Sequence, residues 1–402
     1  MDWQPGLKGR TSSNPGGSTK RWVSHARHDS PSPHREMTRP SVGFRPRAGG
    51  ITLKSESGTR LITLDGSSGE GGGQILRTAL TLSLLTGQPF RIVKIRANRD
   101  KPGLRPQHLK AVEAAARLGQ AEVVGGSVGS RDLTFRPGKL EPGDLKIDIG
   151  TAGATALVLQ TIHLPLALRA SGPVRVSLTG GTYNESAPSF PFLETTWRAH
   201  MAAIGLPVAL AMPRAGFYPE GGGSLEAWIE PGIPRPLVLE NRGELVKIRG
   251  LAETIRLPGV GRRMADRALE SLAERGFSAE IDASTLPGIG PAAAITLTAE
   301  FTKAPPVSFV GLGKRGKPAE VVADDAVSQL SAYLDVAGAA VDLHSADQIL
   351  LPLVFAEGRS VFTVTEVTQH LRTNVETITA FLDKPIRLES LENGEGGRVI
   401  VG

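Results

Sequence analysis

The chain of 402 residues contains no cysteine. Disulfide bonds, zinc sites built on thiolates and cysteine nucleophiles are therefore excluded. No apolar stretch reaches the roughly 18 residues that a membrane-spanning helix needs. The first 30 residues also lack the apolar region of a secretory signal. Together these absences predict a cytoplasmic protein with no membrane partner.

Positive charge is concentrated at the start of the chain. The formal net charge is +6, yet residues 1–60 alone hold eleven Lys and Arg against four Asp and Glu. The first 50 residues are rich in Gly, Pro, Ser and Arg and have too few apolar side chains to form a core. We interpret residues 1–59 as a disordered basic N-terminal extension. There are three alternatives: an arm that binds nucleic acid, a targeting segment, or translated upstream sequence with a true start at Met37 or later.

The remaining sequence shows an order of elements that recurs. Residues 60–138 predict strand, helix, strand, helix and a hairpin, from the apolar periodicity and the glycines that close each helix. Residues 144–230 repeat the same order. From about residue 236 the pattern changes to a small α/β segment, and residues 323–356 are predicted to be helical. A further helix and three strands end the chain.

These patterns predict an α+β protein built of α/β repeats. We expect a large domain of repeated βαβαββ modules, formed by residues 60–238 and 340–402. A smaller α/β domain, residues 239–339, is expected to be inserted into the last repeat.

A glycine-rich strand-to-helix turn, "LDGSSGEGGGQILR" (64–77), is the first candidate site. Backbone N–H groups in such a turn can approach phosphate, helped by the helix N-terminus. It matches neither the P-loop nor the dinucleotide fingerprint, so a tight turn that needs positive φ is the alternative. Glu70 would repel a phosphate there unless a divalent cation lay between them. Gln74 and Arg77 follow on one helix face and are placed to reach the same phosphates, although Arg77 on a solvated helix face is an equal alternative.

A basic Pro/Gly loop is the second candidate site. Its cationic residues are Lys94, Arg96, Arg99, Lys101 and Arg105. Guanidinium groups suit bidentate recognition of phosphate, and the loop ends in Gln107 and His108 at a helix start. No aromatic residue interrupts the charges, which argues against base stacking on this loop. A solvated basic loop is the alternative interpretation.

Two further segments carry candidate residues. His370, in "VTQHLRTN", follows a β-branched strand at the head of a helix, where packing is the usual role of a single histidine. Asp347 and Gln348, in "HSADQILLP", stand at the start of an apolar helix, where simple N-terminal capping is the alternative. None of the eight histidines has the HExxH spacing of a metal site.

Seven segments in one order resemble the RNA 3′-terminal phosphate cyclase family. They are "LDGSSGEGGGQILR", "KPGLRPQHL", "GTAGATALVLQT", "GGTYNESAP", "GFYPEGGG", "HSADQILLPL" and "TQHLRTN". The resemblance covers about residues 61–400 and leaves the N-terminal extension without a counterpart. It implies the repeated-module fold predicted above.

The resemblance also implies a reaction. Members of the family use ATP to convert an RNA 3′-terminal phosphate to a 2′,3′-cyclic phosphodiester, through histidinyl–AMP and RNA-adenylate intermediates. The nucleophile of the family falls on His370, and its metal-binding glutamate falls on Glu70. Residues expected to bind the nucleotide or support catalysis are Gln74, Arg77, Arg96, Arg99, Gln107, His108, Asp347 and Gln348. Our own inference is that Asp347 orients His370.

The expected cofactors are ATP and Mg²⁺ or Mn²⁺, and the expected partner is RNA with a 3′-terminal phosphate. No obligatory protein partner is evident. Two alternatives remain: a noncatalytic cyclase-like factor in RNA processing or ribosome biogenesis, and a transferase of the enolpyruvyl type. The cyclase-like branch lacks the nucleophilic histidine, and the transferase should lack "TQHLRTN", so His370 favours the enzyme.

Overall fold

A computed structural model of the protein describes residues 60–69, 73–391 and 396–402. The N-terminal extension of residues 1–59 and the predicted metal ligand Glu70 lie outside the described residues. No helix in the described part of the chain is long and apolar enough to cross a membrane.

The first repeat has the element order β-α-β-α-β-β. Its elements are β1 (Ile62–Asp65), α1 (Gly73–Thr86), β2 (Phe90–Val93), α2 (Pro106–Leu118), β3 (Glu122–Val124) and β4 (Leu133–Arg136). The sheet order is β1-β2-β4-β3, with β1 and β2 parallel and the other pairs antiparallel.

The second repeat follows the same topology. Its elements are β5 (Leu145–Asp148), α3 (Thr155–Arg169), β6 (Val174–Gly180), α4 (Phe190–Phe192), a π-helical turn (Leu193–Trp197), α5 (Arg198–Ile204), β7 (Val208–Arg214) and β8 (Gly223–Ile229). The sheet order, β5-β6-β8-β7, is equivalent to that of the first repeat.

The third repeat is split by an inserted segment. The inserted elements are β10 (Leu245–Ile255), α6 (Val260–Glu274), β11 (Ala279–Thr285), β12 (Ala292–Phe301), β13 (Val307–Leu312) and α7 (Ala319–Asp335). The elements of the repeat itself are β9 (Val238–Leu239), α8 (Ser345–Leu353), β14 (Ser360–Val364), α9 (Gln369–Phe381), β15 (Ile386–Ser390) and β16 (Gly397–Val401). The order β9-β14-β16-β15 reproduces the same sheet once more. The predicted fold class is therefore confirmed, while the exact domain boundaries stay predictions.

One predicted element was wrong. Residues 323–356 do not form one helical stretch, because α7 ends at Asp335 and α8 begins at Ser345. Gly338 in the connection has φ of +82°, which a helix does not allow. Asp342 then accepts hydrogen bonds from the backbone N–H groups of His344 and Ser345 at 2.9 and 3.0 Å, and so starts the second helix.

Helix α1 lies where the three repeats meet. It contacts α2 of its own repeat, α3 of the second and α9 of the third. Ten of its fourteen residues are buried, so it is packed almost all round rather than on one stripe. One continuous hydrophobic core runs through the three repeats, whereas the inserted segment has a core of its own.

Arg242 joins the two ends of the inserted segment. Its guanidinium donates to the carbonyl oxygens of Tyr333 and Leu334, at 2.8 and 2.7 Å, at the C-terminus of α7. It also donates to the carbonyl of Ala339 at 3.2 Å and lies 4.7 Å above the ring of Tyr333. The orphan carbonyls at the end of α7 thus receive a cationic partner, which also suits the helix dipole.

Three histidines are buried in the large domain: His108, His163 and His200. Burial lowers the pKa of His108 and of His163 to about 3. It lowers the pKa of His200 to about 4, with Asp342 partly opposing the shift. The folded protein therefore keeps these rings neutral where an unfolded chain would protonate them. Their contribution to stability is complete above pH 6.5 and is lost as the pH falls towards 3 to 4.

We expect His163→Asn to reduce the acid sensitivity of folding. One fewer proton is then taken up on unfolding, so the free energy of unfolding should fall less steeply below pH 6, by about 1.4 kcal/mol per pH unit. Urea unfolding between pH 4.5 and 7 measures this slope. The exposed Val128, replaced by Asn, is the control and should leave the slope unchanged, because no titratable group is removed. A wild-type slope in the His163 variant would mean that the buried ring binds a proton in the folded state.

Candidate active site

A chain of two hydrogen bonds connects the first and third repeats. Gln74, on the first turn of α1, donates from Nε2 to Oδ2 of Asp347 on α8 at 2.5 Å. Its Oε1 lies 2.8 Å from Nδ1 of His370 on α9. Three residues that are far apart in the sequence thus form one polar unit.

The order of donors in this unit fixes the tautomer of His370. An ionised carboxylate only accepts hydrogen bonds, so Gln74 must turn its NH₂ group towards Asp347. Its carbonyl oxygen then faces the imidazole, and Nδ1 of His370 must be the donor. With the proton on Nδ1, the lone pair of the imidazole lies on Nε2, the ring nitrogen that does not face Gln74.

Buried contacts hold the three helices in register around this unit. Asn374, one turn after His370, donates to the backbone carbonyl of Asp347 at 2.7 Å. Its own carbonyl accepts from Oγ1 of Thr78 at 2.8 Å. Thr368 caps α9 through a hydrogen bond from the N–H of Leu371 at 3.1 Å. The position of His370 relative to Gln74 is therefore set by packed helices rather than by a loop.

Asp347 is not a simple helix cap. Asp342 accepts the hydrogen bonds at the start of α8, and the Asp347 carboxylate instead meets Gln74. Burial raises the pKa of Asp347 to about 6, while His370 and Arg77 oppose the shift. The carboxylate is therefore ionised at neutral pH and able to act as the acceptor.

Most of the predicted site residues line one cleft of about 390 Å³. From the predicted set, the cleft is lined by Gln74, Arg77, Arg96, Arg99, Gln107, His108 and His370. A smaller cavity of about 80 Å³ lies beside it, lined in part by Asp347 and Gln348. Gln74 and Arg77 line both cavities, so they separate the cleft from the smaller space. A volume of several hundred cubic ångströms suits a ligand the size of a nucleotide.

The cleft is cationic. Burial lowers the pKa of Arg77 to about 10, with Asp347 partly opposing the shift, so the guanidinium remains charged. Burial and the neighbouring Arg99 and Arg105 lower the pKa of Arg96. Within the described ranges, neither Arg77 nor Arg96 forms an ion pair with a carboxylate. Like charges crowded around a cleft favour an anionic ligand.

His108 is a neutral hydrogen-bond donor. Its Nδ1 accepts from the backbone N–H of Arg105 at 3.1 Å, so the ring proton is on Nε2. Burial, and then the charges of Arg77, Arg96 and Arg105, lower its pKa to about 3. A Cβ atom built on Gly73 would lie 3.1 Å from Nε2 of His108. The N–H donor is therefore next to the first residue of α1, where an anion would gather.

The basic loop contributes only part of its charge to the cleft. Arg96 and Arg99 line it, but Lys94 forms an ion pair of 2.8 Å with Asp65. The hydrogen bond from Lys94 is the main reason why the pKa of Asp65 is lowered to about 2. Arg96 has a left-handed φ of +54°, and its N–H donates to the carbonyl of Gly66 at 3.2 Å. A non-glycine residue in this region is strained, and such strain is common at binding sites.

The two remaining predicted glutamines connect repeats. The Gln107 carbonyl oxygen accepts from the N–H of Ala154 at the start of α3, at 3.3 Å. Gln348 accepts from Gln160 of α3 at 2.5 Å and donates to the carbonyl of His344 at 2.7 Å. Gln348 therefore does not reach the larger cleft, whereas Gln107 forms part of its wall.

Several cleft residues were missed from the sequence. Asn184, Glu185 and Ser186 line the cleft from the second repeat, and Thr373 lines it from α9. The first three lie in "GGTYNESAP", a segment that carried the family resemblance, so a signal for them was present. Thr373 lies in "TQHLRTN", which also carried the resemblance, so the same kind of signal was present for it.

The glycine-rich turn packs directly against α9. A Cβ atom at Gly69, whose φ is +60°, would lie 2.4 Å from Oγ1 of Thr373, so only glycine fits there. Glu70 follows outside the described residues, and its predicted role as metal ligand stays a prediction. Among the residues that the structure describes, no group of three acidic or histidine side chains could hold a metal ion.

Comparison with known proteins agrees with this fold. The family model described as "RNA 3′-terminal phosphate cyclase" matches residues 68–388. A protein of that name from Caldivirga maquilingensis is 44% identical over 81% of this chain and 94% of its own length. Another from Ralstonia nicotianae is 44% identical over 85% of this chain and 97% of its own. A third, from Methanopyrus kandleri, is 43% identical over 85% and 98%.

The family model and the three relatives each cover most of the chain. The chain belongs to the RNA 3′-terminal phosphate cyclase family. The predicted recognition of the family is confirmed.

We expect Arg77→Gln to weaken binding of inorganic pyrophosphate by about 10- to 100-fold, because a charge-assisted hydrogen bond contributes about 1.5–3 kcal/mol. Isothermal titration calorimetry measures the affinity. Arg99→Gln, at an exposed position that does not disturb the core, should also weaken binding. Arg136→Gln is the control, since Arg136 lies exposed on β4 beside Glu122. Equal affinities for all three variants would remove the cleft as the anion site.

Proposed function

We propose that the protein uses ATP to convert an RNA 3′-terminal phosphate to a 2′,3′-cyclic phosphodiester. The observation that carries this proposal is the Asp347–Gln74–His370 unit at the edge of a cationic cleft. The arrangement offers a neutral imidazole with an oriented lone pair next to groups that attract phosphates. Membership of the family supports the same reaction.

The first proposed step is nucleophilic. Nε2 of His370 attacks the α-phosphorus of ATP, a P–N bond forms, and the bond to pyrophosphate breaks. The proton on Nδ1 stays hydrogen-bonded to Gln74, so positive charge that develops on the ring is stabilised through Gln74 by Asp347. Arg77 and the Nε2–H of His108 are placed to stabilise negative charge on the phosphate oxygens.

The next two steps transfer and release AMP. An oxygen of the RNA 3′-phosphate attacks the phosphorus of histidinyl–AMP, which breaks the P–N bond and restores His370. The neighbouring 2′-hydroxyl then attacks the 3′-phosphorus, loses its proton and expels AMP. Arg96 and Arg99, which line the same cleft, would hold the terminal phosphate in line for both displacements.

A divalent cation belongs to the proposal as well. Glu70 is proposed to hold Mg²⁺ or Mn²⁺, which would offset the charge of the triphosphate against that carboxylate. Five of the eight residues in "GSSGEGGG" (66–73) are glycine, a composition that suits the approach of backbone N–H groups to phosphate.

We expect Gln74→Leu to slow self-adenylation by at least about 100-fold. Leucine removes both hydrogen bonds, so the tautomer of His370 is no longer fixed, and a misoriented histidine costs a catalytic triad about 10⁴-fold. The rate of labelling by ATP radioactive at the α-phosphate measures this. Gln369→Leu, at the exposed neighbour of His370 on the same helix, is the matched control. Similar rates for the two variants would show that Gln74 does not orient the nucleophile.

We expect acid-labile, alkali-stable label on the wild-type protein and none on His370→Ala after incubation with labelled ATP and Mg²⁺ or Mn²⁺. The reason is that phosphoramidates hydrolyse in acid and survive in alkali. Absence of label on a folded wild-type protein with either metal would favour a noncatalytic RNA-processing factor. Label that persists in His370→Ala would mean that another residue is the nucleophile.

A further inference from the structure

The turn in "GFYPEGGG" presents an aromatic side chain to solvent. Tyr218 is 80% exposed, whereas Tyr183 and Tyr333 are 1% and 3% exposed. Within the described residues it is the most exposed aromatic side chain. The Asp347–Gln74–His370 unit makes no use of this turn, so its exposed ring needs a separate explanation.

Backbone pairing joins the segment before Tyr218 to a segment of the cleft wall. Tyr183 and Phe217 form a parallel bridge, and their buried rings stack with centroids 4.4 Å apart. The residue that follows Tyr183 is Asn184, which lines the cleft, and the residue that follows Phe217 is Tyr218. The turn that begins at Tyr218 is therefore next to the segment that supplies Asn184 to the cleft wall.

The turn that carries Tyr218 is firmly seated. The N–H of Gly221 donates to the carbonyl of Phe217 at 2.6 Å. A Cβ atom at Gly221 would lie 2.7 Å from Cα of Ala152, so the turn packs directly on that backbone. The side-chain amide of Asn184 donates to the carbonyl of the same Ala152 at 2.6 Å. The turn and the cleft wall thus both contact Ala152. A long ligand bound in the cleft can therefore extend to the turn.

Two exposed arginines lie on segments that adjoin the turn. Arg214 precedes Ala215, which pairs with Gly288 of the inserted segment. Arg256 follows Ile255, which packs in one small apolar cluster with Tyr183 and Phe217. Both arginines are exposed, and neither has an ion-pair partner in the part of the chain that the structure describes. An exposed aromatic ring, with guanidinium groups on the adjoining segments, is a combination that suits single-stranded nucleic acid.

We propose that Tyr218 is a stacking platform for one of the last bases of the RNA, while Arg214 and Arg256 contact its backbone phosphates. This inference rests on the proposed function, because the terminal phosphate in the cleft brings the neighbouring bases to the turn. It supplies the aromatic contact that the basic loop, which has no aromatic residue, does not offer.

The test measures binding of a single-stranded RNA with a 3′-phosphate by fluorescence anisotropy. Tyr218→Ala should weaken binding about 5- to 150-fold, the equivalent of about 1–3 kcal/mol of stacking. Tyr218→Trp should bind like the wild type. Trp228→Ala is the control, because this half-exposed aromatic residue lies five positions along β8 from Gly223 and away from the turn. Arg214→Gln and Arg256→Gln should each reduce the salt dependence of binding, with a slope smaller by about 0.7.

A second substrate identifies the stacked base. RNAs with a single abasic site at each of the last positions should reveal one position at which wild type and Tyr218→Ala bind equally. If Tyr218→Ala binds every RNA as tightly as the wild type, or if the wild type does not bind the RNA at low salt, the inference is wrong. Failure of the proposed function would give a different result. The wild type would bind the RNA in a way that depends on Tyr218, but no cyclic phosphate would form.

Discussion

The hydrogen bond from Gln74 to Asp347 is the contact on which the site depends. It joins α1 of the first repeat to α8 of the third, and it decides which end of the glutamine amide faces His370. Asp347 is desolvated where it lies, and a buried carboxylate without a donor is costly. The same contact therefore satisfies a charge, fixes a tautomer and holds two repeats together. It can do all three because α1 is packed on every side and cannot shift to accommodate a different geometry.

Around this contact, the buried histidines and the arginines of the cleft differ in charge. The histidines that are buried are kept neutral, so His108 offers an N–H to the cleft without adding to its charge. The arginines that line the cleft are crowded together: burial first, and then the charges of Arg99 and Arg105, lower the pKa of Arg96. Ground-state repulsion of this kind is relieved when an anion binds. Ligand binding should accordingly contribute to the stability of the folded protein, in proportion to the logarithm of ligand concentration above its dissociation constant.

The sequence was sufficient for the local elements and insufficient for the contacts between them. Helix α1 and the repeat order follow from apolar periodicity and closing glycines, which are local signals. The pairing of Gln74 with Asp347 joins residues 273 positions apart and has no local signature. Lys94 could not be separated from Arg96 within the basic loop, because its partner Asp65 lies on another strand. The helix break near Gly338 was missed since apolar residues continue through it, and only the capping contacts of Asp342 show where the second helix starts.

The contacts of Arg242 determine how the third repeat accommodates the inserted segment. Arg242 and Ala339 are 97 positions apart, yet one hydrogen bond joins them. If the intervening chain were unstructured, closing it would carry an entropy cost that grows by about 0.6 kcal/mol with every doubling of its length. The insert has its own core, and a hydrogen bond joins its two ends. For the third repeat, the insert is therefore equivalent to a connection of only a few residues. In polymer terms, the inserted segment is a closed loop whose ends meet at Arg242 and Ala339. The register of β9 against β14 therefore does not depend on the length of the insert.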